Sequence, residues 1–472
     1  MRMYICGEWV DRDEKMPVIN PFDQSAFDTV PRGSAADVQA AIASAVRGAA
    51  VMAKLPSHRR YTILKRAADL MEERADDLAE TITREEGKVI AEGRVEVQRA
   101  IQTITLSAEE AKRLHGETVP LDSAPGVVNQ FGFTIRVPVG VVAAIAPFNF
   151  PLNLVCHKVG PALAGGNAVI LKPAGDTPLS ALKLTEILLE AGLPGEAIQT
   201  ITGSGAEIGD AITGSSDVRK ITFTGSMEVG DQICRNAGIK KVTMELGSNS
   251  PLIIMSDADI EKVAAATVSS GFANAGQVCI STQRVFAART IYADLLDALV
   301  KPTQEFSVGN PFDEDVKMGP MIRQTDAERV EGWIAEAVSQ GARVIAGGGR
   351  EGTMHTATVV ADARPEMLIS REELFGPAVA VSAFDDIDDA IAKANDTRFG
   401  LSAGIFTQNV DWAMKFAQEV HSGNLHINSS PGWRADVMPY GGLKDSGMGK
   451  EGPAYAIEEM TELKMVVFHL GG

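Results

Sequence analysis

The chain has 472 residues, 45% of them apolar and 22% charged, and a formal net charge of −18. That length exceeds one ordinary core and implies two or three domains. The acidic balance argues against nonspecific binding to nucleic acid or an anionic membrane, which needs a basic face, and no uninterrupted apolar run is long enough to span a bilayer.

The opening segment reads as short strands and turns, with Asn20-Pro21 as a turn signal. Met1 to Glu8 turns polar too early for a secretory signal. Asp37 is expected to cap an Ala-rich helix to Lys54, and two longer helical patterns follow, Arg59 to Arg84 and Lys88 to Leu114. The segment 118–137 alternates around the turn Asp122-Ser123-Ala124-Pro125-Gly126 and reads as a protruding hairpin.

From Val139 the pattern changes to strand alternating with helix. Strands are predicted at Val139 to Ala146, Ala168 to Leu171, Ile198 to Thr202, Lys220 to Phe223 and Lys241 to Met244, with helices at Pro151 to Ala164, Pro178 to Ala191, Ala206 to Ile212 and Met227 to Ala237. This alternation predicts a parallel sheet with helices on both faces. A second block begins near Pro251. Its strands are Leu252 to Met255, Arg284 to Ala288, Ala378 to Ala383, Ala403 to Phe406 and Asn424 to Ile427. Its helices are Ile260 to Ala273, Ala327 to Gln340, Asp386 to Asn395 and Val410 to Glu419, and Leu463 to Leu470 reads as an edge strand.

Three residues carry the chemical argument. Cys279 follows Ala275-Gly276-Gln277, where a patterned helix ends and Gly276 permits a sharp turn that presents the thiol. Glu245 ends a predicted strand, at the C-terminal strand edge of a parallel sheet where ligands bind, and an apolar crevice there would raise its pKa toward that of a usable base. Asn149, between Phe148 and Phe150 and bounded by Pro147 and Pro151, sits on a rigid platform that can aim a side-chain N–H. A thiol nucleophile, an oxyanion donor and a base for water are what covalent oxidation of an aldehyde requires. The other cysteines, Cys6, Cys156 and Cys234, are dispersed and form no CxxC pair, so neither a zinc site nor a disulfide framework is expected. Phe223 to Gly230 joins a strand to a helix; Gly225 allows close backbone approach, and Ser226 with the helix N-terminus offers donors to a pyrophosphate. Lys172-Pro173-Ala174 adds a cation beyond another strand.

Taken together, and in this order, these runs resemble the aldehyde dehydrogenase superfamily over essentially the whole chain. Glu372 to Pro377 and Pro439 to Gly447 belong to the same set. The resemblance implies an α/β architecture in three parts. These are a Rossmann-like parallel-sheet domain for NAD or NADP (residues 1–117 and 138–246), an α/β catalytic domain (247–448), and a small β oligomerisation element (118–137 and 454–472) serving a homodimer or homotetramer. It implies Cys279 as nucleophile, Asn149 as oxyanion donor and Glu245 as general base, with Glu451 relaying protons. Phe148, Lys172, Gly175, Gly225, Ser226, Glu373 and Phe375 would line the cofactor site. A cytoplasmic enzyme with a small-molecule substrate and no metal is expected.

Departures from the family pattern bear on specificity. Gly175 stands where many NAD-preferring relatives carry Glu, so a 2′-phosphate is not repelled, although Asp176 is adjacent. By alignment, Arg99, Asn153, His157 and Arg434 take tunnel positions, and Arg99, His157 and Arg434 are expected to recognise an anionic group on a short aldehyde. Succinate semialdehyde ranks first, then lactaldehyde-like, sulfonated and phosphonated aldehydes. Val278 and Ser281 replace residues that mark some glyceraldehyde-phosphate and succinate-semialdehyde enzymes. Two other readings stand beside this one. A CoA-acylating enzyme is disfavoured by Glu245, and an inactive structural member is disfavoured by the complete set of three.

Overall fold

The computed structural model describes residues 1–471. Eight strands form the first sheet, in the order Glu8–Val10, Met3–Ile5, Ile198–Thr200, Ala168–Lys172, Val141–Ile145, Val218–Thr224, Lys241–Glu245 and Gly447–Met448. The five inner strands run parallel. Taken in chain order they stand 3-2-1-4-5, so the strand order reverses between Val141–Ile145 and Val218–Thr224. In such sheets ligands settle beyond the carboxyl ends at that reversal. Val141–Ile145 and Ala168–Lys172 are buried along their whole length, which is why they read as continuous apolar runs rather than alternating ones.

A second sheet takes the order Arg343–Ala346, Thr358–Ala361, Ala378–Phe384, Arg284–Ala288, Pro251–Ile254, Ser402–Phe406 and Asn424–Ile427, parallel except for its first member. A third, antiparallel sheet joins Thr461–His469 to Gln130–Pro138 along nine residue pairs, with Thr118–Val119 beyond. The expected hairpin is thus a small part of a sheet completed by the chain's last strand. Phe131, Ile135, Leu463, Met465 and Phe468 lie exposed on it.

Most predicted elements recur with shifted ends; the strands Arg343–Ala346 and Thr358–Ala361 and the helix Pro453–Glu459 are additions to those expected, and four other elements differ in kind. The first helix, Ala35–Met52, is capped by Ser34, whose hydroxyl accepts from the Asp37 N–H while the Asp37 side chain accepts from the Ser34 N–H. Asp37 is therefore the third residue of a capping box, not the cap. The single helix expected over 59–84 is two, Ser57–Glu73 and Ala75–Glu86, broken where Arg74 leaves helical geometry at φ −115° and ψ 20°. Residues 205–209 form a π-helical turn before the short helix Asp210–Gly214. The helix Tyr292–Gln304 was not predicted, although Leu295, Leu296 and Leu299 give it a buried face. No single helix among the described residues is long and apolar enough to cross a membrane.

Candidate active site

The helix Ile260–Phe272 ends in a turn whose residues Asn274, Ala275 and Gly276 are all left-handed, with φ of 49°, 54° and 69°. Only glycine suits the third position, because a Cβ there would lie 2.0 Å from the Gly376 carbonyl oxygen. The Gln277 side chain staples the turn down: its Nε2 donates to the Asn274 carbonyl at 3.1 Å, and its Oε1 accepts from the Ile322 N–H at 2.9 Å. Cys279 follows, half-buried, with its Sγ 3.1 Å from the Tyr440 hydroxyl. Burial pushes the thiol up to about 12, opposed first by the Tyr440 hydrogen bond and then by the Arg434 charge.

Asn149 is buried, and its Nδ2 donates to the Gln277 carbonyl at 2.7 Å, two residues before the thiol. One N–H of that amide remains for a ligand. The Asn149 backbone carbonyl accepts from the buried Lys88 ammonium at 2.7 Å, which fixes the Pro-bounded platform. Glu245 lies at the end of its strand, paired in register with Thr224. Both its oxygens are buried without a hydrogen-bond partner among the described residues. Desolvation, then the nearby Glu451 charge, raises its pKa well above the usual carboxylate range. The carboxylate packs against the chain beside Tyr440: a Cβ on Gly441 would lie 2.9 Å from its Oε1. Its charge bears on Cys279.

Glu451 does not fit the expected role of proton relay. It accepts from Lys158 Nζ at 2.8 Å and from Arg434 Nη2 at 3.1 Å, and these cations hold it well below the usual range despite its burial. A carboxylate so held keeps its negative charge at neutral pH. Its influence here is electrostatic, through the repulsion it exerts on Glu245.

A cleft of about 830 Å³ opens at the reversal in strand order, and Cys279 is among its lining residues. Phe148, Asn149, Lys172, Gly175, Gly225, Ser226, Glu373 and Phe375 all line it. Ser226 caps the helix Met227–Ala237, whose N-terminus faces this end of the sheet. Gly225 has a packing reason as well, since a Cβ there would meet the Phe223 ring at 2.4 Å. Burial lowers the Lys172 ammonium to about 8. Glu373 accepts from the Ser248 N–H at 2.9 Å, and burial raises it to about 7. Phe375 has φ of 48°, a strained value for an aromatic residue, and its ring meets Phe148 edge-on with centroids 5.9 Å apart. A Cβ at Gly175 would touch nothing within 4 Å. Asp176 is tied to Arg323, whose Nε donates to it at 3.1 Å, so its charge is compensated. The open position, the ammonium and the helix terminus fit a dinucleotide.

Three of the four tunnel residues, Arg99, Asn153 and His157, converge on Asp436, a residue without a local signal in the sequence. Arg99 grips Asp436 through Nε at 3.0 Å and Nη2 at 2.8 Å. His157 Nε2 stands 2.8 Å from the same carboxylate, and Asn153 Nδ2 donates to it at 3.2 Å. Burial, then the Arg434 charge, depresses His157 to about 4, so at neutral pH the contact is a hydrogen bond from a neutral ring rather than an ion pair. The expectation that Arg99 and His157 are free for a substrate anion is therefore corrected: an internal carboxylate holds both. Arg434 differs. It pairs with Glu451 through Nη2, stacks on Tyr440 with its guanidinium carbon 3.8 Å from the ring centroid, and leaves its buried Nε without a partner among the described residues. Asp436 and Tyr440 were both legible as neighbours of quoted residues, one two places after Arg434 and the other inside the Pro439 to Gly447 run. Nothing local marked either as a contact of the site.

Fold and site define the class: an α/β oxidoreductase with a cysteine lining a dinucleotide-sized cleft. The chain belongs to the aldehyde dehydrogenase family, whose model matches residues 9–466. It is 49% identical over 468 residues to the 3-sulfolactaldehyde dehydrogenase of Priestia megaterium, covering 99% of this chain and 98% of that one. Aldehyde dehydrogenase 21 of Physcomitrella patens, solved with the reaction product succinate, superposes with a TM-score of 0.97 at 37% identity, covering 99% and 98% of the two chains. The glyceraldehyde-3-phosphate dehydrogenase GapN of Methanocaldococcus jannaschii, complexed with NADP, superposes with a TM-score of 0.94 at 35% identity, covering 98% and 100%. Betaine aldehyde dehydrogenase of Staphylococcus aureus, in complex with NAD+, superposes with a TM-score of 0.96 at 31% identity, covering 99% and 95%.

Proposed function

We propose that this enzyme oxidises a small anionic aldehyde to its carboxylic acid, with NAD or NADP as hydride acceptor. The observation that carries the hydrolytic outcome is Glu245, a buried carboxylate without a hydrogen-bond partner among the described residues, whose charge bears on the thiol. The Cys279 sulfur adds to the aldehyde carbon, and the carbonyl pair moves to oxygen, where the Asn149 amide and the Cys279 backbone N–H receive it. The nicotinamide supplies the acceptor for the hydride. Lys172, Ser226, Glu373, Phe148 and Phe375 would hold that cofactor. The resulting thioester is hydrolysed by water that gives its proton to Glu245. Gly175 and the neutralised Asp176 leave room for NADP as well as NAD.

The anionic preference is supported by the buried, unpartnered Nε of Arg434 and by the names of the relatives, two of which concern a sulfonated aldehyde and a dicarboxylate product. Succinate semialdehyde and sulfonated aldehydes share the required chemistry, a short chain with an aldehyde at one end and an oxyanion near the other; a lactaldehyde-like substrate, which is neutral, is the alternative that the test separates from them. In this reading, residues 1–117 and 138–246 form the cofactor domain and 247–448 the catalytic domain. The sheet from 118–137 and 454–472 joins copies of the chain into a dimer or tetramer in the cytoplasm. The test is reduced-nicotinamide formation with matched aldehydes that carry or lack a terminal anion. A preference for the anion of at least about tenfold in kcat/KM, corresponding to roughly 1.4 kcal/mol, is expected. Equal values for both would remove the anionic assignment and leave the oxidation itself standing.

A further inference from the structure

We propose that Tyr440 takes part in the chemistry: its hydroxyl donates a hydrogen bond to the Cys279 thiolate, and Arg434, stacked on its ring, holds and strengthens that donor. This rests on Cys279 being the nucleophile.

The geometry leaves the phenol one role. Tyr440 is buried, and among the described residues its hydroxyl has a single partner, Cys279 Sγ at 3.1 Å. Its backbone is pinned in both directions to Glu451: the Tyr440 N–H donates to the Glu451 carbonyl at 3.2 Å, and the Glu451 N–H donates back at 2.7 Å. Glu451 also anchors Arg434, whose guanidinium carbon lies 3.8 Å from the ring centroid. One residue therefore sets both the ring and the cation on it. A cation over the ring face draws electron density from the phenol and makes its O–H a better donor.

In the neutral pair either atom can donate. Once sulfur ionises, only the phenol carries a hydrogen, so the bond becomes charge-assisted and stronger. The thiol proton passes to water in the cleft, while burial keeps Tyr440 itself protonated. When the sulfur pair forms the bond to the aldehyde carbon and the carbonyl pair moves to oxygen, negative charge leaves sulfur and the phenol bond relaxes. Tyr440 thus raises the thiolate population at neutral pH, against the desolvation that disfavours it.

The test is alkylation of Cys279 by iodoacetamide between pH 7 and 9, located by peptide mass spectrometry. The thiolate forms the S–C bond and iodide leaves. Tyr440→Phe keeps the ring and both backbone bonds and removes only the hydroxyl. Losing a hydrogen bond to a charged group raises the thiol pKa by about one to two units, and the greater intrinsic nucleophilicity of the more basic sulfur recovers about half of that on a logarithmic scale. The expected rate is therefore about 3- to 10-fold below wild type, by the same factor for a bulkier iodoacetamide. Tyr440→Leu, which removes ring and hydroxyl together, should be at least as slow. Tyr440→Phe at the wild-type rate overturns the proposal, and so does a loss that changes with reagent size, which would mean altered access. Cys279→Ser enzyme that oxidises aldehyde at the wild-type rate would instead overturn the nucleophile assignment on which this one stands.

Discussion

Replacing Asn149 by Ala tests the oxyanion arrangement directly. The Asn149 Nδ2 reaches the Gln277 carbonyl at 2.7 Å, so the substitution removes two things at once. One is the free N–H that meets the developing oxyanion, whose loss costs about 3 kcal/mol of transition-state stabilisation, a fall on the order of a hundredfold in kcat. The other is the partner of a buried carbonyl, which costs about 1–3 kcal/mol of folding stability. The two are separable. Iodoacetamide alkylation of Cys279 forms no oxyanion, so Asn149→Ala should alkylate within about twofold of wild type while oxidising aldehyde on the order of a hundredfold more slowly. Stopped-flow detection of reduced nicotinamide gives the rate, and thermal melting gives the stability term. Oxidation within about threefold of wild type would refute the assignment. A parallel fall in alkylation would show that the residue shapes the turn rather than the transition state.

Glu245→Gln removes the base and leaves the thiol. It should release about one reduced nicotinamide per active site and then stall, with steady-state acid formation reduced by about 10²- to 10⁴-fold; a normal steady state without a burst would end Glu245's role in hydrolysis. In the wild type, burial raises Glu245, so the hydrolysis step should gain rate as pH climbs through that elevated value. His157 links pH to stability in the acid range. Its folded pKa, about 4 against 6.5, is depressed, so the stability it contributes is full above 6.5 and is lost as pH falls toward 4. That loss amounts to roughly 3 kcal/mol. Urea unfolding at stepped pH should show this slope, and His157→Gln should flatten it; an unchanged slope would mean that the ring is charged or exposed in the folded chain.

The alternation of strand and helix from residue 139 onward was readable because a two-residue or 3.6-residue period is local. The candidate residues Cys279, Glu245 and Asn149 were marked by equally local signals, a helix end, a strand end and a Pro-bounded loop. Helix breaks without proline or glycine, such as that at Arg74, leave no such mark.

The chain alone determined which chemical groups are present and the order in which the fold strings them. Only the folded state decided how they are spent. Arg99 and Asp436 are 337 positions apart, and Cys279 and Tyr440 are 161 apart. Arginines that read as ready for a substrate anion can be neutralised by a carboxylate that arrives from a distant loop. A tyrosine with no local signal can become the one hydrogen-bond partner that the Cys279 sulfur has among the described residues. The physical reason is that burial and pairing set the charge and donor capacity of a side chain, and both are properties of the surroundings that the tertiary packing brings together.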